Sequence, residues 1–145
     1  FIIPKVAKMF GLLALIWETA SKDFKKTREI FIMKLTREVD IFQCPVSIKY
    51  CFLTFDMLEP NTVKITDYVR VWHGEIELED APEGLVEMDI QKAICEKCFC
   101  RFQNGQDETF FGRSLSVSDI IRVKKDNTFS YYYCDSVGWK LVKPQ

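Results

Sequence analysis

Histidine occurs once in the 145 residues, at position 73, and that scarcity removes most of the familiar acid–base chemistries. Any Ser-His-Asp or Cys-His arrangement would have to pass through His73, which precedes Gly74 at an apparent turn and reads as a surface or hydrogen-bonding residue. No GxSxG nucleophile elbow, phosphate-cradling glycine loop or dinucleotide-binding glycine pattern occurs in the chain. A membrane span is also missing: MFGLLALIW after Lys8 falls far short of the ~20 apolar residues that cross a bilayer as a helix. No small-residue cleavage site follows that stretch, so the expectation is a cytoplasmic chain with reduced thiols and no membrane partner. Internal repeats and low-complexity tracts are absent as well.

Net charge is nearly absent too, at -1, but the balance hides an asymmetry. Residues 1–39 carry a surplus of +4 and residues 40–145 a deficit of -5. The first segment therefore reads as a separate unit, and the main domain lacks a general electrostatic footprint for nucleic acid. What the chain does have is hydrophobic residues at 48%, enough at this length to bury a core without disulfide or metal, and aromatics at 14%, which supply large and geometrically specific contacts.

The pattern predicts an α+β domain: a small antiparallel sheet with a C-terminal β-hairpin, packed against one or two helices and preceded by an N-terminal amphipathic helix. Phe10, Leu13, Trp17, Ala20, Phe24 and Phe31 recur at near-heptad spacing, so residues 9–35 are expected to be helical within an extension that ends at residue 43. The main domain is expected to fill 44–145. Pro45 ends any helix, and VSIKYCFLTF alternates in the manner of a first strand over 46–55. DYVRVWHGEIEL is rich in β-branched and aromatic residues, although helix and strand compete around Tyr68 to Trp72. In EMDIQKAICEKCFCRF, Ile90, Ile94, Cys98 and Phe102 recur every fourth residue, which predicts a helix over 87–102. SDIIRV, the turn KKDNT and FSYYYCDSVGWKLV read as a terminal hairpin.

Several clusters offer chemistry. Cys95 and Cys98 have zinc-knuckle spacing, and Cys100, Cys134 or His73 could complete four ligands, yet no second CxxC or CxxH half-site exists. The helical period instead aligns Cys98 with core positions, where free cysteine acts as a small hydrophobe. A dithiol catalyst normally sits at a helix N-terminus, whereas this pair lies late in its helix. The seven carboxylates from Glu75 to Asp89 could face a basic partner, but they equally suit a solvated strand edge. Ser114, Ser116, Ser118 and Asp119 are turn chemistry, with Asp119 able to close a turn on neighbouring amides. Asp135, Ser136 and Gly138 interrupt the aromatic strand before Trp139, which marks a bulge or tight bend. Together Ser116, Ser118, Asp119, Tyr133, Asp135, Ser136 and Trp139 form a candidate polar pocket or contact surface on the hairpin.

FFGRSLSVSDIIRV, YYYCDSVGWKLV and DYVRVWHGEIEL, in that spacing across roughly residues 46–143, resemble the YodL-like domain family. Arg113 stands where the family commonly has histidine, Trp139 where it has phenylalanine, and the helix cysteines where it has Tyr or Phe. The resemblance implies a small domain, often part of larger proteins on conjugative elements and phages of Gram-positive bacteria, with no established catalytic activity and no cofactor. The resulting expectation is a noncatalytic accessory domain that binds a protein partner. Two alternatives stand beside it: a nucleic-acid module using aromatics and the basic N-terminal helix, and a zinc domain or enzyme around Cys95, Cys98 and His73.

Overall fold

Side-chain alternation makes a strand of the segment that follows residue 31. In the computed structural model, which describes residues 32–104 and 107–145, strand β1 is Ile32–Gln43. Val39 and Ile41 are fully buried on one face, while the intervening Asp40 meets charged partners on the other. β1 pairs antiparallel with β2 (Val69–Pro82) on one side and with β3 (Ile120–Lys125) on the other. β4 (Thr128–Cys134) and β5 (Trp139–Val142) complete a five-stranded sheet in the order β2-β1-β3-β4-β5. The α+β class and the terminal hairpin are as expected. The competition around Tyr68 to Trp72 resolves as strand from Val69 onward.

Two expectations at the start of the domain are corrected. Residues 32–35 are strand rather than the end of a helix, and β1 belongs to the sheet. The proposed helix over residues 9–31 lies outside the described residues. The alternating segment 46–55 is not a strand: Ile48, Cys51 and Leu53 each donate a backbone N–H to a carbonyl three or fewer residues behind, folding it into successive turns. Pro45 begins this run, and its side chains cover the sheet instead of pairing with it.

Helix α1 (Glu87–Phe102) occupies the residues predicted for it. Its buried stripe of Ile90, Ile94, Cys95, Cys98 and Phe102 packs on Val39, Ile41, Trp72, Ile76, Ile121, Val123, Tyr132 and Trp139. Arg37 ties the first turn of α1 to β1 by two bonds to Glu87, at 3.0 Å and 2.6 Å. That ion pair holds the Glu87 carboxyl down at about 2. On the opposite face, Phe42, Tyr50, Val63, Tyr68, Ile120 and Tyr133 form a second core beneath the connection between β1 and β2. Among the described residues, no helix is long and apolar enough to cross a membrane.

Gly74 shows how tightly the first core is closed. Trp72 packs at a tilt on Phe102, ring centroids 4.9 Å apart, Phe102 stacks at 4.8 Å on Phe110, and the indole N–H donates to Thr109 Oγ1 at 3.0 Å. A Cβ at Gly74 would lie 2.6 Å from two indole carbons. Gly74→Ala is therefore expected to destabilise the fold by about 1–3 kcal/mol, measured by urea unfolding, because the packed indole has no room to yield.

Candidate functional site

The serine–aspartate motif folds around one buried carboxylate. Asp119 has 0% exposure; its Oδ2 accepts from the Ser116 backbone N–H at 2.8 Å and from Gln43 Nε2 at 2.9 Å. Arg113 Nη2 approaches Oδ1 at 3.4 Å. Burial pushes the Asp119 carboxyl up to about 6, against the opposing pull of the Ser116 and Gln43 bonds and the Arg113 charge. The turn function expected of Asp119 is thus observed, and its backbone continues it: Cys134 N–H donates to the Asp119 carbonyl at 2.8 Å, locking the motif to the end of β4.

Ser118 extends this hub to the other side. Its backbone takes a left-handed conformation at φ 81 although its side chain is buried. Its Oγ accepts from the Phe52 backbone N–H at 2.8 Å, and its carbonyl accepts from Tyr68 Oη at 2.8 Å. Phe52 is itself left-handed at φ 66, an outlier for a bulky side chain, and its ring is 49% exposed beneath the Arg113 guanidinium, 4.9 Å from the ring centroid. Ser116 Oγ and Arg113 Nε are buried without a hydrogen-bond partner among the described residues.

Gln43 places Arg113 from the far side of the hub. Its Oε1 accepts from the Arg113 backbone N–H at 3.1 Å while its Nε2 donates to the Arg113 carbonyl at 2.9 Å, so one side chain pairs with the backbone as a neighbouring strand would. Gly112 permits this approach, since a Cβ there would run into the Gln43 amide and sit 3.0 Å from Val71 Cβ. Val71 is the extra residue where the β1–β2 register shifts, and its carbonyl accepts from Phe111 N–H at 3.0 Å. Phe111, two positions before Arg113 in the chain, is left 86% exposed. A bulge, a glycine and a buried amide thus fix the segment that carries Phe111 and Arg113, and Arg113 lies over Phe52.

The other residues singled out from sequence scatter. Tyr133 and Trp139 are 0% and 5% exposed and lie in the two cores on opposite faces of the sheet, so they do not line a common surface. Tyr133 Oη donates to the Leu53 carbonyl at 2.6 Å, and Trp139 Nε1 donates to Glu96 at 2.9 Å. Asp135 and Ser136 make the bend before β5, where Asp135 Oδ1 accepts from the Ser136 and Phe55 backbone N–H groups at 2.8 Å and 3.0 Å. Gly138 takes φ 75 in the same bend. Cys95 and Cys98 are buried in the helix-side core, whereas Cys100 is exposed. His73 lies across the sheet from them, its Nδ1 2.7 Å from Asp40 Oδ1. Among the described residues no group of three or more His, Cys, Asp or Glu is gathered as metal ligands would be.

Asp40 anchors the uncovered part of that sheet face. Arg122 contacts its Oδ2 through Nε at 3.0 Å and Nη2 at 2.8 Å, and Arg70 reaches Oδ1 at 3.4 Å. Arg122 in turn stacks over Phe129, 4.5 Å from its centroid. Burial raises the Asp40 carboxyl, yet the bonds from Arg122 and His73 outweigh it and leave it below the usual carboxylate range.

Sequence reasoning missed Phe52, Gln43 and Phe111. Phe52 and Phe111 had no signal beyond being aromatic in loops, and Gln43 gains its role only by meeting Arg113 seventy positions on. These features define a small α+β domain in which the serine–aspartate motif is tied to the ends of β1 and β4. The model of the YodL-like domain matches residues 38–144, and the chain belongs to that family. The match begins within β1. Comparison with curated proteins and with solved structures gives no match.

Proposed function

We propose that the chain is a noncatalytic accessory domain of a bacterial mobile element, and that it binds a protein partner through Phe52, Arg113 and Phe111. The mobile-element context rests on the family resemblance alone. The surface rests on one observation: an exposed phenylalanine is held in the left-handed region by a bond to a fully buried serine. A bulky residue at positive φ costs about 1–3 kcal/mol, and such strain persists where the surroundings over-determine it. An arginine stacked on one exposed aromatic, with a second exposed aromatic two positions away in the chain, has the composition of an interface hot spot.

Phe52→Gly separates the two roles of that residue. Glycine accepts φ 66 without strain, so the variant is expected to melt at the wild-type temperature or above it while losing the partner. The check is affinity capture from a Gram-positive lysate with the full chain as bait, comparing Phe52→Gly with Phe129→Ala on the uncovered sheet face. A protein enriched by wild type and Phe129→Ala but absent with Phe52→Gly supports the surface; an identical eluate from all three rejects it. A second reading, nucleic-acid binding, is favoured by Arg122 and Lys124 standing beside Phe129 and Tyr131. It requires affinity that falls steeply with salt and is lost in Phe129→Ala.

A further inference from the structure

The turns after Pro45 bring two thiols together. Cys44 leaves β1 and is fully buried, and the chain then folds back through bonds from Ile48 N–H to the Pro45 carbonyl and from Cys51 N–H to the Ile48 carbonyl, both 3.0 Å. As a result the half-buried Cys51 Sγ lies 3.8 Å from the Cys44 carbonyl oxygen. The Arg113 Nη2 is 3.7 Å from the same sulfur. Cys44 Sγ contacts Ser118 Oγ at 3.7 Å. Burial pushes the Cys44 thiol up to about 11.

We propose that Cys51 and Cys44 are an oxidation site, in which a hydroperoxide converts Cys51 to a sulfenic acid and Cys44 closes it to a disulfide. The assignment of roles follows from access and charge. Cys51 is the thiol that solvent reaches, and the Arg113 guanidinium stands 3.7 Å from its sulfur, where it faces any negative charge that develops there during the reaction. In the first step the Cys51 thiolate attacks the terminal peroxide oxygen, the O–O bond breaks, and the leaving oxygen takes a proton to depart as water or an alcohol. In the second step the Cys44 sulfur attacks the Cys51 sulfur; the S–O bond breaks, and hydroxide departs as water with the Cys44 proton. Two thiols and one hydrogen peroxide become one disulfide and two waters. Because Cys44 is buried and gives up its proton reluctantly, the second step is the slow one, and the sulfenic acid accumulates before it. The bridge would fasten the turns that carry Phe52 to the end of β1, but the inference does not depend on that surface binding anything.

The test uses the full chain, reduced, desalted and treated in its folded state with a small molar excess of hydrogen peroxide. Samples taken over time are quenched with dimedone or iodoacetamide and mapped by peptide mass spectrometry, with the exposed Cys100 as internal reference. Early samples are expected to carry dimedone on Cys51, and late samples a peptide joining Cys44 to Cys51 that dithiothreitol separates. The bridged protein should melt about 5 °C higher, since a short clip removes entropy from the unfolded chain. Cys44→Ala should leave the adduct on Cys51 undiminished at late times. If Cys44 and Cys51 both remain alkylatable after Cys100 has oxidised, the proposal is overturned. The same holds if the joined peptide appears only when the protein is unfolded in urea, an outcome wild type reports without any variant.

Discussion

Asp119→Ala is expected to cost about 3 kcal/mol at pH 7, enough to remove a large part of a small domain's stability. Two donors now satisfied by a buried oxygen, the Ser116 N–H and Gln43 Nε2, lose that acceptor. Bonds to a charged group contribute ~1.5–3 kcal/mol each, and a buried donor left without a partner costs ~1–3 kcal/mol. The gain on the other side is relief from burying an anion. With the carboxyl at about 6 in the fold and near 3.9 when unfolded, the net cost of keeping it ionised, those bonds to it included, is ~3 kcal/mol. The loss outweighs the gain because Gln43 also positions Arg113, so the damage spreads to the surface beyond the turn.

The same residue makes a pH prediction with an unusual sign. Between pH ~4 and about 6 the folded protein holds a proton on Asp119 that the unfolded chain releases, so stability falls as pH rises through that window. Acidifying from pH 7 to pH 4.5 is therefore expected to strengthen the wild type, by up to ~3 kcal/mol in urea midpoints converted through the m-value. Asp119→Asn, which keeps one oxygen for Ser116 and Gln43 but carries no proton to exchange, should show a flat profile over that range. Further acidification reverses the trend. Glu87, held down at about 2 by Arg37, contributes stability that is present above its unfolded value near ~4.3 and is lost as pH falls toward 2. Glu87 is partly exposed, so solvent screening limits that loss to about 1 kcal/mol. A wild-type profile without a maximum near pH 4–5 would show that Asp119 is not buried as described.

What could be read from sequence and what could not divides along a physical line. Local periodicity delivered α1, because Ile90, Ile94, Cys98 and Phe102 sit on one face whatever they pack against. Turn chemistry delivered Asp119, whose bond to Ser116 N–H spans only the motif itself. β1 was hidden although Leu35, Arg37, Val39 and Ile41 alternate with Thr36, Glu38 and Asp40, since Lys, Leu, Arg and Glu are good helix formers and extend the pattern that precedes them. Pairing on both sides by β2 and β3 overrides that preference. The converse error at 46–55 arises because alternation there does not sort the faces: Ile48 and Tyr50 reach the second core but Val46 and Phe52 are exposed, while Cys51 and Leu53 from the other set pack there through the turns. As for the candidate site, Asp119, Ser118 and Asp135 were found as structural residues, whereas the left-handed backbone of Phe52 has no trace in the sequence because any residue can be forced there by its neighbours.

Trp139 gives the sharpest contrast between a contact residue and a packing residue. A hairpin aromatic on an exposed surface could be truncated with little effect on folding. The structure instead buries Trp139 in the helix-side core, with its ring edge-on to Phe99 at a centroid distance of 6.5 Å and its N–H bonded to Glu96. Trp139→Ala should therefore cost about 3–5 kcal/mol in chemical denaturation, comparable to the effect of other large-to-small core changes. β5 amplifies the effect: it spans four residues, pairs only with β4, and begins at Trp139, so the indole is what fastens this edge strand to α1. Trp139→Phe keeps the ring in the core and gives up only the bond to the exposed Glu96, an expected loss of ~1 kcal/mol or less. Hydrogen exchange separates the two mechanisms of failure. Loss of protection confined to Trp139–Val142 means that β5 detaches while the remaining sheet persists, whereas a uniform loss across β1, β3 and β4 means that the indole supports the whole domain. An alanine variant with wild-type stability and wild-type protection would place Trp139 on the surface after all.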